Sequence, residues 1–253
     1  MFHLQPYTIE NCHRHIRTYF GGVLIGSSRH GVLYLDRPYP IYYFPQSDVE
    51  MQHLVASSRK ESDSGRGDRV FWHLTVGSTT ARNAASTYTN PPAPAHADLG
   101  SYITFDWNVM DSWYEEREQV FGHPKNPYHR IDILASERNL NISVSNLQLA
   151  QTSSPMVLFE TGLPIRYYVN RKDINLDVLE PSDTVTCCPY KGFANYFNIK
   201  TGSRRLIKDG AWCYADPLPE CAKIKGRICF YNEIVDIIED GQQLKRPRTQ
   251  IKL

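Results

Sequence analysis

Residues 184–197 read TVTCCPYKGFANYF, and this run sets two cysteines, a proline, a tyrosine and a lysine side by side. Three chemistries fit those types at that spacing. Paired thiols make half of a metal site. Cys188 with Lys191 three residues on makes an activated nucleophile, because a nearby cation depresses a thiol's pKa. Tyr190 and Lys191 on a tight turn make the polar corner of a pocket, able to polarise a carbonyl.

The metal reading is the poorest of the three. Zinc takes four ligands, usually from two pairs such as C-x-x-C. The chain contains no C-x-x-C, its nine histidines all lie at or before His129, and five of its six cysteines lie at or after Cys187. His13 and His15 share one strand face, yet no third ligand accompanies them. We expect no bound metal and no cofactor, and there is no G-x-G-x-x-G dinucleotide signal. As a nucleophile, Cys188 is expected at a pocket floor, more reactive than Cys213 or Cys229. Cys187 faces the other way by strand alternation. Cys213, Cys221 and Cys229 read as small buried hydrophobes.

The pocket reading uses the most residues. Pro189 fixes the backbone and Gly192 frees it, so PYKG turns sharply and presents Tyr190 and Lys191 from a rigid base. Tyr196 follows on one strand, Trp212 and Tyr214 stand at i, i+2 on another, and Arg166, Tyr167 and Tyr168 precede them. Aromatic walls with a few polar tips make a small-molecule site. The expected catalytic residues are Lys191, Tyr190 and Cys188, and the expected ligand-binding residues are Arg166, Tyr168, Tyr196, Trp212 and Tyr214. The same aromatics also serve as the core of a small β domain, the simpler account for Trp212 and Phe230.

The elements that position these residues occur twice. YPIYYFPQSDVEMQHLVAS at 39–57 aligns with LPIRYYVNRKDINLDVLEPS at 163–182 at an offset of 125 residues, pairing Tyr42 with Tyr167 and Asp48 with Asp173. Gly67 then meets Gly192, and Phe71 meets Tyr196. The offset slips to 126 where Asn83 meets Asp209 and Tyr88 meets Tyr214, then returns to 125 for Phe105 with Phe230 and Asp111 with Asp236. The chain is expected to hold two copies of one module, 1–122 and 123–253. The copies differ at the pocket, where Ser86 replaces Trp212, and Ser64-Gly65-Arg66 replaces Pro189-Tyr190-Lys191. The first pocket is therefore read as degenerate, having lost its aromatic wall, with an alternative site at Arg66, His73 and Tyr88.

Each copy reads as short strands: RHIRTYF, GVLIGSS, GVLYLD, VFWHLTV and SYITFDW in the first, and NISV, MVLFET, IRYYV, FANYFNI and RICFY in the second. Short helices are expected at SDVEMQHLV and KDINLDVLE, from apolar residues at three- and four-residue spacing. The acidic DSWYEEREQVF is expected to be a helix between the copies. The fold class is mainly β, with two similar domains of small antiparallel sheets.

Composition narrows the partners. With 253 residues the chain can bury one large core or two ordinary ones. Its net charge of +1 leaves no basic footprint for nucleic acid. No apolar run approaches a membrane span, and the start MFHLQPYTIENCHRH has no signal-peptide core, so no membrane partner and a cytoplasmic location are expected. The 16 Tyr, 10 Phe and 4 Trp suit strands and line pockets for organic ligands.

The stretches FETGLPIRYYVNRKDINLDVLEPSDTVTCCPYKGFANYF, GAWCYADPLPECAKIKGRICFYNEIVD and MDSWYEEREQVFGHPKNPYHRIDIL resemble the domains called DUF427, in their tandem, two-domain form. The resemblance covers nearly the whole chain. It implies a β-tent fold, two small antiparallel sheets meeting at an angle over a pocket, shared with the methionine sulfoxide reductase B type and with the thalidomide-binding domain of cereblon. That family also carries a nucleotidyltransferase-like label, which the residues do not support, since they include no phosphate-binding loop and no tight carboxylate pair for magnesium. The zinc-binding β-tent relatives use paired cysteines that this chain lacks.

The function expected from these residues is a small-molecule enzyme without a redox cofactor, of the isomerase, cyclase or lyase type and suited to specialised metabolism. The alternatives are a ligand-binding module with an aromatic cage, or thiol chemistry of the sulfoxide-reductase type through Cys188. The expected partner is a small organic molecule.

Overall fold

A computed structural model describes residues 8–35, 39–63, 67–89, 99–202 and 206–248. The chain divides into two compact units, 1–126 and 127–253. The strands of the first are β1 (Thr8–Asn11), β2 (Ile16–Phe20), β3 (Val23–Ser28), β4 (Val32–Leu35), β5 (Ile41–Pro45), β6 (Leu54–Asp63), β7 (Gly67–Val76), β8 (Thr79–Thr89), β9 (Tyr102–Phe105), β10 (Ser112–Glu115) and β11 (Glu118–Val120). Those of the second are β12 (Ile131–Ala135), β13 (Leu140–Val144), β14 (Leu147–Thr152), β15 (Met156–Glu160), β16 (Arg166–Val169), β17 (Leu179–Cys188), β18 (Gly192–Lys200), β19 (Leu206–Cys213), β20 (Ile228–Phe230), β21 (Asp236–Glu239) and β22 (Gln242–Gln243).

Each unit holds a seven-stranded and a four-stranded antiparallel sheet. The large sheets run β1-β4-β5-β9-β8-β7-β6 and β12-β15-β16-β20-β19-β18-β17, and the small ones run β3-β2-β10-β11 and β14-β13-β21-β22. The strand order is the same in both copies, which is how the sequence repeat expresses itself. No helix among the described residues is long and apolar enough to cross a membrane.

Fine features repeat as well. Asn83 and Asp209 both take a left-handed backbone, φ +53° and +52°. Each sits in the same β-bulge, with its amide donating to a side chain on the neighbouring strand (His73 Nδ1 at 3.0 Å, Asn198 Oδ1 at 2.9 Å) and its own side chain accepting from a serine, Ser57 or Ser182. Asn and Asp tolerate that conformation better than other chiral residues. The slip of the offset to 126 falls just before this bulge, in the hairpin connection, which is one residue longer between Lys200 and Leu206 than between Thr75 and Thr80. A second repeated device ties the two sheets of each unit together. Tyr42 donates to Glu115, which also binds Arg14, while Tyr167 donates to Glu239 at 2.8 Å, which also binds Arg138 at 3.0 Å.

Three expectations need correction. The pairing of Asp111 with Asp236 is one residue out. Ser112 lies opposite Tyr19 as Asp236 lies opposite Ser143, because the connection after β20 is one residue shorter than that after β9. The segment expected as a helix at DSWYEEREQVF is the hairpin β10–β11, turning at Glu116 with φ +51°. Trp113 is buried in the core between the less buried Ser112 and Tyr114, so the period is that of a strand. The helices expected at SDVEMQHLV and KDINLDVLE are pairs of three-residue 3-10 turns, Gln46–Asp48 with Met51–His53 and Arg171–Asp173 with Leu176–Val178. They stop because buried Val49 and Ile174 between them are extended and bridge to Gly26 and Ala150.

In the second unit the large sheet is buried on both faces. One face packs Val157, Tyr167, Val169, Ala211 and Phe230 against β13 and β14. The other carries Leu158, Tyr168, Trp212, Tyr214 and Cys229, with Cys221 and Ile224 of a 3-10 segment, Pro219–Ile224, packed among them. Alternation sends Tyr167 to the first face and Tyr168 to the second.

Candidate functional site

The turn between β17 and β18 is built as its residues dictate. Lys191 N–H donates to the Cys188 carbonyl at 3.2 Å, closing a four-residue turn around Pro189 and Tyr190. Gly192 follows at φ +98°, a conformation strained for any residue with a Cβ. The Lys191 carbonyl accepts from Leu218 N–H at 3.0 Å, which pins the turn to the segment after β19.

Lys191 is turned inward and is only 8% exposed. Its Nζ lies 2.5 Å from Glu160 Oε1, at the end of β15. His129 Nε2 lies 2.9 Å from the same oxygen. The Tyr190 ring stacks on the His129 imidazole, with centroids 4.2 Å apart and planes 25° apart. An ammonium, an imidazole and a carboxylate thus meet at one atom, with an aromatic face laid over the imidazole.

A second cluster lies on the same sheet face. Arg166 donates to Glu233 through both terminal nitrogens, at 2.7 and 2.8 Å, and its guanidinium carbon sits 5.5 Å from the Trp212 ring centroid and 5.6 Å from that of Tyr231. Burial opposes the Arg166 charge, and the bonds to Glu233 more than offset it, so its pKa is raised. Trp212 Nε1 donates to the Tyr168 hydroxyl at 3.1 Å, and burial pushes that phenol's pKa well up. Tyr196 bonds Thr186 at 2.9 Å and also Tyr231. Tyr214 is buried and its phenol too is pushed up by burial.

Cys188 is half-buried on this face, opposite Gly192, while Cys187 faces the other side. Cys221 donates to the Tyr190 carbonyl at 3.5 Å, and burial pushes its thiol up to about 11. Cys229 is fully enclosed and pushed up to about 12 by burial. Among the described residues no three His, Cys, Asp or Glu side chains gather as a metal site requires.

The eight residues expected at the site all lie in the second unit; Cys188 and Tyr214 stand on the same sheet face, and the other six fall in two groups. Lys191 and Tyr190 belong with His129 and Glu160. Arg166, Tyr168, Tyr196 and Trp212 belong with Glu233 and Tyr231. The four partners were not among the expected residues. Glu160 had a signal, since Met156, Leu158 and Glu160 alternate onto one face and a carboxylate there needs a partner. His129 had none, sitting in the connection between the copies.

Of the alternative first-unit site, Arg66 lies outside the described residues, His73 is committed to the bulge, and Tyr88 is packed with Val32, Tyr34, Tyr43 and Leu99. The first unit nevertheless contains a cavity of about 660 Å³, lined by Arg59, Arg69, Phe71, Ser86, Trp107 and Trp113 among others. By strand register Ser86 stands where Trp212 stands in the second unit, each opposite the Phe71 or Tyr196 position. The smaller residue leaves open the space that the indole fills.

A family model described as a domain of unknown function, DUF427, matches residues 8–116 and, a second time, 132–241. No curated protein matches the chain.

Proposed function

We propose, on the premise that this chain belongs to the DUF427 family with one copy of the domain in each half, that its second unit catalyses proton transfer on a small organic molecule without a cofactor, as an isomerase, cyclase or lyase does. The observation that carries the reading is the meeting of Lys191 and His129 on one oxygen of Glu160. A fold does not need this group for stability, because buried ion pairs are often replaced by apolar residues without loss. A carboxylate-oriented imidazole at a partly open edge is suited to general acid–base work. In this reading His129 carries the proton, Glu160 sets the ring's orientation and tautomer, and Lys191 balances the carboxylate. Tyr190 holds the imidazole by its face, and Tyr168, Tyr196, Trp212 and Tyr214 form the wall beside it.

The test uses the protein with whatever small molecule it retains. Native mass spectrometry identifies the bound species, which is then incubated with the protein in heavy water. Catalysis predicts deuterium entering a carbon–hydrogen position, with the rate falling at least about a hundredfold in His129→Gln, as loss of a general acid–base group does. A ligand held tightly with no exchange favours a binding module instead. That second reading has its own support: Arg166, Trp212 and Tyr168 spend their polar atoms on Glu233 and on one another, which makes a settled aromatic wall. Thiol chemistry through Cys188 also needs a recycling thiol and has less support, because burial holds Cys221 and Cys229 as neutral thiols near neutral pH.

A further inference from the structure

We propose that the cavity of the first unit binds a small planar organic acid, with its carboxylate on the Arg69 guanidinium and its ring against the Trp107–Trp113 wall. A volume of about 660 Å³ falls in the range of small-molecule sites. Its aromatic wall is ordered: the two indoles stack with centroids 4.7 Å apart and planes 3° apart. A flat ring is the partner that gains most from a flat aromatic surface.

The charge is what selects an acid. Arg69 donates through Nε and Nη2 to Ser86 Oγ, at 3.0 and 2.8 Å. That uses one edge of the guanidinium and leaves the Nη1–Nη2 edge, two parallel N–H bonds spaced to meet a carboxylate. Among the described residues no acidic side chain forms an ion pair with Arg69. A second guanidinium, Arg59, lies 4.4 Å from the Phe71 centroid, with Arg69 4.9 Å from it. Arg59 is paired with exposed Glu61. One carboxylate, Asp106, also lines the cavity, and it accepts the Asn108 amide at 3.1 Å. Arg59 is thus balanced by Glu61, and Arg69, with no acidic partner among the described residues, is the cation left to meet a ligand.

The second unit shows the same pairing completed from within the chain. There the guanidinium is Arg166, over Trp212, and its two terminal nitrogens are met by Glu233. In both units a guanidinium converges on the fold position of Ser86 and Trp212. In the second a protein carboxylate and an indole fill the space. In the first the serine leaves room, and among the described residues no carboxylate meets the second edge of Arg69.

Isothermal titration of the whole chain with 2-naphthoate, and with the neutral 2-naphthamide, tests this. We expect one naphthoate per chain, bound at least about tenfold more tightly than the amide, with the advantage shrinking as salt is raised. Arg69→Met should bring naphthoate down to the affinity of the amide. Ser86→Trp, which fills the cavity as the second unit does, should abolish both. His129→Gln, which tests the second unit, should leave naphthoate binding as it is. Equal binding of acid and amide, no salt effect, no heat from naphthoate at millimolar concentration, or full binding by a folded Arg69→Met chain overturns the proposal. So does loss of binding on His129→Gln, which would move the acid to the other unit. The salt and amide comparisons need no variant, so they decide the matter even if a substituted chain fails to fold.

Discussion

Glu160 and Lys191, on separate hairpins, share a buried ion pair with 2.5 Å between Oε1 and Nζ. Removing one partner of such a pair leaves the other charge enclosed without compensation. Lys191→Met keeps most of the bulk and should destabilise the second unit by about 3–5 kcal/mol. The midpoint of urea unfolding reads the change. Adding Glu160→Leu to that variant should restore a large part of the loss, since the stranded carboxylate is then gone. An unshifted midpoint in the single variant would mean that the pair contributes nothing.

The tyrosine–glutamate contacts predict alkaline sensitivity. Tyr167 has its phenol pushed up to about 12 from 10.0, by burial first and by Glu239 second, and Tyr42 is shifted further in the same direction. A raised folded-state pKa means that the neutral phenol is favoured on folding. Its stabilisation is complete below about pH 10 and fades as the pH climbs toward about 12. Urea midpoints measured across that interval should fall. Tyr167→Phe should lower stability near neutral pH by about 1.5–3 kcal/mol, the worth of a hydrogen bond to a charged group, and should flatten part of the alkaline decline. A midpoint that holds steady through the interval would contradict these contacts.

Thiol accessibility separates the six cysteines. Cys12, Cys213, Cys221 and Cys229 are buried, and Cys187 and Cys188 are half-exposed. Brief iodoacetamide treatment of the folded protein near pH 8, read by peptide mass spectrometry, should label the Cys187–Cys188 peptide and spare the rest. Because burial raises Cys221 to about 11 and Cys229 to about 12, their thiolate populations stay small until the solution is strongly alkaline. Even labelling of all six would contradict the assigned burial.

The duplication, the β class and the PYKG turn were legible in the sequence because each has a local signature: a fixed offset, alternation, and Pro and Gly at set positions. The partners of the site were not. Glu160 meets Lys191 although β15 lies four strands from β18 in the large sheet, because the β17–β18 turn comes back to the end of β15. That is information about register, which no short window of sequence holds. The acidic run Glu115–Glu116–Arg117–Glu118 read as helix by charge, while the deciding feature was Trp113 turned into the core. The replacement of Trp212 by Ser86 read as a lost wall. Sequence shows the residue removed and is silent about the space it leaves, which other aromatics, Trp107 and Trp113, come to enclose.

The clamp in which Arg14 and Tyr42 meet Glu115, and Arg138 and Tyr167 meet Glu239, has a further consequence. Each clamp joins residues near the start of a unit to residues near its end, with Arg14 and Glu115, like Arg138 and Glu239, 101 positions apart. Such long-range closure makes for slow folding, because the loop entropy is lost before the contact forms. It also means that neither clamp borrows a residue from the other copy. On the ribosome the first copy acquires its last clamp residue, Glu115, while most of the second has yet to be synthesised, and domains generally fold as units in that order. Duplication has thus doubled the length of the chain without lengthening the longest closure that either half must make.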